Sequence, residues 1–275
     1  MTPRLTALQL KDFRSSIWDY YRHHRRPMPW RETADPYHIF VSEVMLQQTQ
    51  VARVLQKYAD FPQRLPSWHE LAEARLAEVV QQWQGLGYNR RARFLHQAAG
   101  EVVSRFACRL PADQRLLATL PGIGHNSAGA ICAFAFGMPV VFIETNIRRV
   151  FIHFFFDGRC KVSDVQLLPL VEQTLDRSDP RQWYFALMDY GATLKARGSN
   201  PNRRSAHYSR QPSFEGSRRQ LRGAVLRLLV SGERLAPAEI AAAVGEQRAG
   251  CLESVLSDLE NEGFLAAEQA RYYLR

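Results

Sequence analysis

The chain has 275 residues, 46% of them apolar, enough to build one large domain and a smaller one around true cores, which excludes disorder as its default state. A formal charge of +9 suits a polyanionic partner, because each phosphate neutralised by Lys or Arg releases counterions. The four cysteines, Cys108, Cys132, Cys160 and Cys251, lack the short spacings that gather thiolates around zinc or iron–sulfur centres, so they are expected to be buried free thiols. With no signal-peptide core and no apolar run near the ~20 residues of a membrane helix, the expected setting is a soluble, reducing one: the cytoplasm, at the nucleoid in a bacterium.

Apolar residues recur at helical spacing from the start of the chain, where Leu8, Phe13, Ile17, Tyr20 and Tyr21 predict a first helix. The stretch "PYHIFVSEVMLQQTQVARV" follows and sets Glu43 inside an apolar helix, where burial would raise its pKa and favour a proton donor; the plainer alternative is a satisfied structural acid. Leu71, Leu76, Val79, Val80 and Trp83 repeat the helical spacing, and polar breaks with Pro- and Gly-rich punctuation cut the body into short helices. The expected class is all-α.

The strongest local signal is "LPGIGHNSAGAI", Leu120 to Ile131, a Pro-Gly-x-Gly turn between two apolar helices. Gly122 and Gly124 there would let backbone N–H groups approach a phosphate at a helix start, with His125 beside them, although a plain helix connection fits the turn as well. Glu144 comes 24 residues after Leu120 in "FIETNIRRV", beside a predicted helix start and followed by Arg148, a candidate DNA contact, and Arg149. A carboxylate there can stabilise positive charge at an anomeric carbon, or it can simply cap the helix.

Between Lys195 and Arg222 eight basic residues face one acid, Glu215. From Ser217 three short helical segments follow, the first with Leu221, Val225, Leu228 and Leu229 and the third with Leu252, Val255, Leu256 and Leu259. With "GFLAAEQARYYLR" as a two-stranded wing after Gly263, the expected tail is a winged-helix-like module. The third helix carries Glu253, Asp258, Glu260 and Glu262, which favours a structural or protein-contact role over DNA reading. Domains are therefore expected over 1–214, including the basic exit segment 195–214, and over 215–275.

Taken in order, "PMPWRE", "PYHIFVSEVMLQQTQV", "WQGLGYNRRARFLHQAA", "LPGIGHNSAGAI" and "MDYGATL" resemble the adenine glycosylase branch, the MutY type, of the helix-hairpin-helix endonuclease III family, over about residues 5 to 215. The resemblance implies two helical lobes with the active site in the cleft between them. Glu43 matches the acid that protonates the adenine ring, and Glu144 the position of the carboxylate that stabilises the oxocarbenium-like sugar. Gln48 and Tyr88 match residues that wedge into the base stack, filling the gap left when a base is flipped out. Asn126 stands where bifunctional relatives place a Schiff-base lysine, and an amide cannot be that nucleophile, so a monofunctional enzyme without lyase activity is implied.

Three departures from the family pattern stand out. Glu144 replaces the usual Asp. The stretch "KARGSNPNRRSAHYSRQPSF" lacks the four cysteines of the family's [4Fe-4S] cluster, so no cofactor and no metal are expected; Arg203 and Arg204, with His207, Tyr208 and Arg210, would supply phosphate contacts instead. The tail is too short for the domain that reads 8-oxoguanine opposite the adenine.

The expected function is base excision repair on duplex DNA holding a mispaired or damaged base, most simply adenine, by a monomer with no membrane contact and an unidentified protein partner for its tail at most. Removal of thymine or uracil opposite guanine, removal of another damaged base, a non-catalytic lesion-binding protein and a winged-helix regulator stay open as alternatives.

Overall fold

The structure is a computed structural model describing residues 4–198, 200–245 and 250–275. In chain order its helices are α1 (Ala7–His24), α2 (Pro36–Leu46), α3 (Val51–Tyr58), α4 (Phe61–Arg64), α5 (Trp68–Glu73), α6 (Leu76–Gln82), α7 (Arg90–Phe106) and α8 (Gln114–Leu117). There follow α9 (His125–Phe136), α10 (Thr145–Phe155), α11 (Asp164–Thr174), α12 (Pro180–Ala196), α13 (Arg218–Leu229), α14 (Pro237–Val244) and α15 (Leu252–Asn261), then strands β1 (Leu265–Glu268) and β2 (Arg271–Leu274). The body is helical, as expected, and no described helix is long and apolar enough to cross a membrane.

Two compact units result, one from the described residues of 1–40, 112–119 and 123–210, the other from 41–111, 120–122 and 211–275. The first is built on aromatics: Phe13 of α1 lies 5.4 Å from the ring of Phe151 on α10 and 6.0 Å from that of Trp183 on α12. The apolar stripe of α1 buries Phe13, Ile17 and Tyr21, while Leu8, which shares their spacing, stays 66% exposed. Two motifs far apart in sequence meet in an ion pair, where Arg31 of "PMPWRE" forks onto buried Asp189 of "MDYG" at 2.8 and 2.9 Å. Arg26 adds its backbone N–H at 3.0 Å and Nε at 2.6 Å to the same carboxylate. At Gly191, one turn-half further along α12, a Cβ would run into the backbone carbonyl of Asn146, so only glycine lets α10 and α12 approach this closely.

In the second unit Val54, Phe61, Val79, Trp83 and Leu95 are buried. The tail packs here too. Leu221, Val225 and Leu229 of α13 and Leu252, Val255, Leu256 and Leu259 of α15 are buried as their spacing predicts, whereas Leu228 is only half-buried and Leu226 is buried instead. The wing pairs Leu265 with Leu274 and Glu268 with Arg271, closed by Gln269 and Ala270 in left-handed conformations (φ 49° and 59°). Of the four acids expected on the third helix two are paired within the unit, Asp258 of α15 accepting from Arg218 (2.6 Å) and Glu262, just after α15, from Arg90 (2.5 Å) and Arg222 (2.6 Å), while Glu253 and Glu260 are exposed. The backbone N–H of Ala77 donates to the carbonyl of Arg275 at 2.7 Å.

The expectation of four buried thiols is corrected. Only Cys132 is buried, and desolvation pushes its pKa up to about 11; Cys108, Cys160 and Cys251 are exposed. Cys132 lies on the Ala-rich helix α9, whereas the other three fall at helix ends and loops, where solvent reaches any small side chain.

Candidate active site

Glu144 is the N-cap of α10. Its carboxylate accepts from the backbone N–H groups of Asn146 (2.7 Å) and Ile147 (2.8 Å), and from the Asn146 side-chain amide (3.2 Å). Desolvation pushes its pKa above the usual carboxylate value, against the pull of those N–H groups and of Arg149 and Arg148. The result is a carboxyl group that accepts hydrogen bonds from the protein while shielded from water, placed at the positive end of a helix dipole. The two N–H groups bonded are those an N-cap aspartate would use, so the extra methylene is taken up in folding back onto the helix.

The support of this carboxylate lies in Asn146, to which the sequence pattern assigns no role, and in the arginine that holds Asn146. Arg149, not Arg148, is the buried cation; its Nη1 donates to Asn146 Oδ1 (2.7 Å) and to the Gly191 carbonyl (2.6 Å), and desolvation lowers its pKa. The spacing of three from Asn146 was the available signal. Arg148 is engaged bidentately by Asp164, both bonds 2.7 Å. Asn126, in the first turn of α9, accepts from the backbone N–H of Ile143 at 3.2 Å, next to Glu144 in the chain.

The hairpin turn is tightly made. Gly122 has φ +75°, and a Cβ there would lie 2.8 Å from that of Phe94; its carbonyl accepts from Gln47 at 3.1 Å. Gly124 is the N-cap of α9 and places no side chain at the helix start. His125 is exposed and its carbonyl accepts from Gln114 at 3.1 Å.

Glu43 is half-buried on α2, flanked by buried Ser42 and Val44, and belongs to the second unit, as do Gln48 and Tyr88. Both Gln48 (φ 55°) and Tyr88 (φ 49°) adopt left-handed backbone conformations, which cost non-glycine residues of order 1–3 kcal/mol each and persist only where surroundings enforce them. Arg91 enforces them. Its guanidinium donates to the carbonyls of Val44 (2.9 Å), Met45 (2.8 Å), Leu86 (3.3 Å) and Gly87 (2.9 Å) and to Thr49 Oγ1 (2.8 Å), tying the loop of Gln48 to the loop of Tyr88. Burial lowers the pKa of Arg91 to about 10, still far above neutrality. Arg91 was also missed, though it keeps helical register with buried Leu95, Ala98 and Val102.

The stretch where the family resemblance would place an iron–sulfur cluster does not fit one. It has no thiol, and among the described residues no group of three or more His, Cys, Asp or Glu could hold a metal ion. Protein bonds secure it instead: buried Asn202 donates to the Thr145 carbonyl (2.8 Å), Val162 N–H to the Arg204 carbonyl (2.9 Å), and Ala206 N–H to the Val162 carbonyl (2.8 Å). Arg204 donates to the carbonyl of Phe156 at 2.8 Å at the end of α10, so its charge is spent on a helix C-terminus. Arg203 remains exposed.

Residues 41–167 match the model of a family described as HhH-GPD superfamily base excision DNA repair protein. The chain is 35% identical over 232 residues to the adenine DNA glycosylase of Mycolicibacterium smegmatis, covering 78% of each protein. It is 38% identical over 194 residues to the human adenine DNA glycosylase, covering 66% of this chain but 36% of that protein, so it spans about a third of the human relative's length. Among solved structures it is similar to a thermostable thymine-DNA glycosylase (TM-score 0.61, 25% identity, 67% of this chain and 87% of that one). An endonuclease III–DNA complex shares the fold at TM-score 0.56 and 18% identity, covering 67% of this chain and 85% of that one.

Proposed function

This chain belongs to the HhH-GPD superfamily of base excision DNA repair proteins and to its adenine glycosylase branch, and on that premise we propose that it is a monofunctional DNA glycosylase that releases a mispaired adenine from duplex DNA. The observation that carries the reading is Glu144, a desolvated carboxylate fixed at a helix N-terminus. Glu43 protonates a ring nitrogen of the extruded adenine, and the electron pair of the C1′–N9 bond leaves with the base. Glu144 stabilises the positive charge that develops on the sugar. A water then adds at C1′ and loses its proton, leaving an abasic site.

Asn126 has no amine with which to attack the sugar, which supports base release without strand cutting. Gln48 and Tyr88 fill the space of the extruded base. The helix start at Gly124 and the exposed Arg203 grip phosphates, while Arg148 and Arg204, already engaged by Asp164 and by the end of α10, serve structure. For function the division 1–214 and 215–275 is kept, with α13 opening the second part.

A second reading, removal of thymine or uracil opposite guanine, is favoured by the likeness to the thymine-DNA glycosylase. The test is single-turnover base release from duplexes carrying A opposite G, A opposite 8-oxoguanine, T or U opposite G, and hypoxanthine opposite T, with abasic sites revealed by alkali. Adenine release abolished by Glu144→Gln supports the proposal, and release of only another base moves the substrate. Strand cleavage without alkali would sink the monofunctional assignment, and tight binding without release from any duplex would sink the enzymatic one.

A further inference from the structure

Beyond Arg91, the side chains of the wedge have a second set of partners, and these come from the far end of the chain. Gln211 donates through Nε2 to Gln48 Oε1 (3.3 Å) and to the hydroxyl of Tyr88, bridging the two wedge residues. Arg219 Nη1 donates to the same hydroxyl at 2.7 Å, its guanidinium carbon lies 5.6 Å from the Tyr88 ring centroid, and its Nη2 is anchored on the Pro212 carbonyl at 2.9 Å. With two donors on its oxygen, Tyr88 has only its own O–H to offer, so the wedge presents a donor of fixed direction.

Arg219 also breaks a local rule. It sits with Arg218 in the first turn of α13, where a cation opposes the helix dipole. Arg218 is offset by Asp258 on α15, but Arg219 has no carboxylate partner among the described residues and is turned to Tyr88 instead. A residue that opposes its own helix and spends its hydrogen bonds on a left-handed tyrosine is placed for that tyrosine. The helix that carries it is fixed in turn, because Arg222, one turn on, and Arg90, two residues after Tyr88, share Glu262.

We propose that Arg219 and Gln211 are positioning residues for the wedge: the C-terminal module and its linker hold Tyr88 and Gln48 in the shape that enters the duplex, so that this module controls extrusion of the target nucleotide. The role in extrusion rests on the glycosylase reading; the hold on the wedge does not. A wedge that is already ordered does not pay for its ordering while the base stack is being opened, and the module supplies that order through two side chains.

The test uses the full chain and separates the two levels. Hydrogen exchange of peptides covering 46–50 and 86–91 is compared for wild type, Arg219→Ala, Arg219→Lys and Tyr88→Phe without DNA. Arg219→Ala and Tyr88→Phe are expected to speed exchange there about tenfold, with Arg219→Lys intermediate. Stopped-flow fluorescence of a 2-aminopurine placed beside the target base then reads extrusion. Arg219→Ala is expected to slow extrusion about tenfold while affinity for undamaged duplex changes less than about threefold, and Arg219→Ala should add less in a Tyr88→Phe background than it costs alone, only the ring contact being left to lose. Unchanged exchange in both Arg219→Ala and Tyr88→Phe overturns the hold on the wedge. Unchanged extrusion overturns the control of flipping, as does an equal loss of affinity on undamaged duplex, which marks a phosphate contact, or faster extrusion, which marks a brake. A wild type that neither extrudes nor releases any base overturns the glycosylase reading, while the exchange result still decides the hold.

Discussion

Two regions of this molecule solve the same problem by different means. Glu144 is held mainly by main-chain N–H groups two and three residues ahead of it, a local device that any N-cap acid can use. Tyr88 and Gln48 are held by side chains that arrive from elsewhere: Arg91 in α7, Gln211 in the linker and Arg219 in α13. A local cap survives substitution of its surroundings but is sensitive to the one residue that makes it. A side-chain scaffold spreads its dependence over several residues unequally, the most connected of them, Arg91, mattering most.

The sharpest break of the first region is Glu144→Gln, expected to lower single-turnover base release by about 1,000-fold or roughly 4 kcal/mol. Its thermal midpoint should be unchanged or slightly raised. Because the folded carboxyl has a pKa above its ordinary value, it contributes stability that is fully present below the unfolded pKa and is lost as pH rises through the folded one. Release, which needs the anion, runs the opposite way and should fall as pH drops through that raised value. A pH titration of both quantities checks this, and parallel changes in rate and midpoint would contradict it.

For the second region, Arg91→Met takes the donor from several carbonyls and should cost about 3 kcal/mol of stability in urea unfolding, more than any single change among Gln48, Tyr88 and Arg219. Back in the first region, Gly191→Ala forces α12 away from Asn146 and so tilts the start of α10; release is expected to fall about 100-fold with substrate affinity nearly kept. A loss confined to affinity would place Gly191 outside the support of Glu144. The smallest effect expected is that of Glu144→Asp, within about tenfold of wild type, since the shorter acid caps the same two N–H groups. A 100-fold loss would mean that the site has moved to suit the longer arm.

The chain's periodicity and punctuation determined much by themselves. The helical body, the buried faces of α13 and α15, the wing, and the helix start after Glu144 follow from spacing and capping, which are local and need no partner. The resemblance reached Glu43, Gln48, Tyr88 and Glu144 by motif. Spacing did not reveal that Arg149 rather than Arg148 turns inward, that Arg204 caps α10, or that three of four thiols are exposed, because each depends on which surface a neighbouring element covers. Nor did it reveal that the guanidinium groups of Arg91 and Arg219 each lie 5.6 Å from the ring centre of Tyr88, 131 positions separating Arg219 from that tyrosine. Contacts across that separation form only when the chain folds back, and which arginine wins a carbonyl or a ring is settled there by burial and by the shortage of other acceptors.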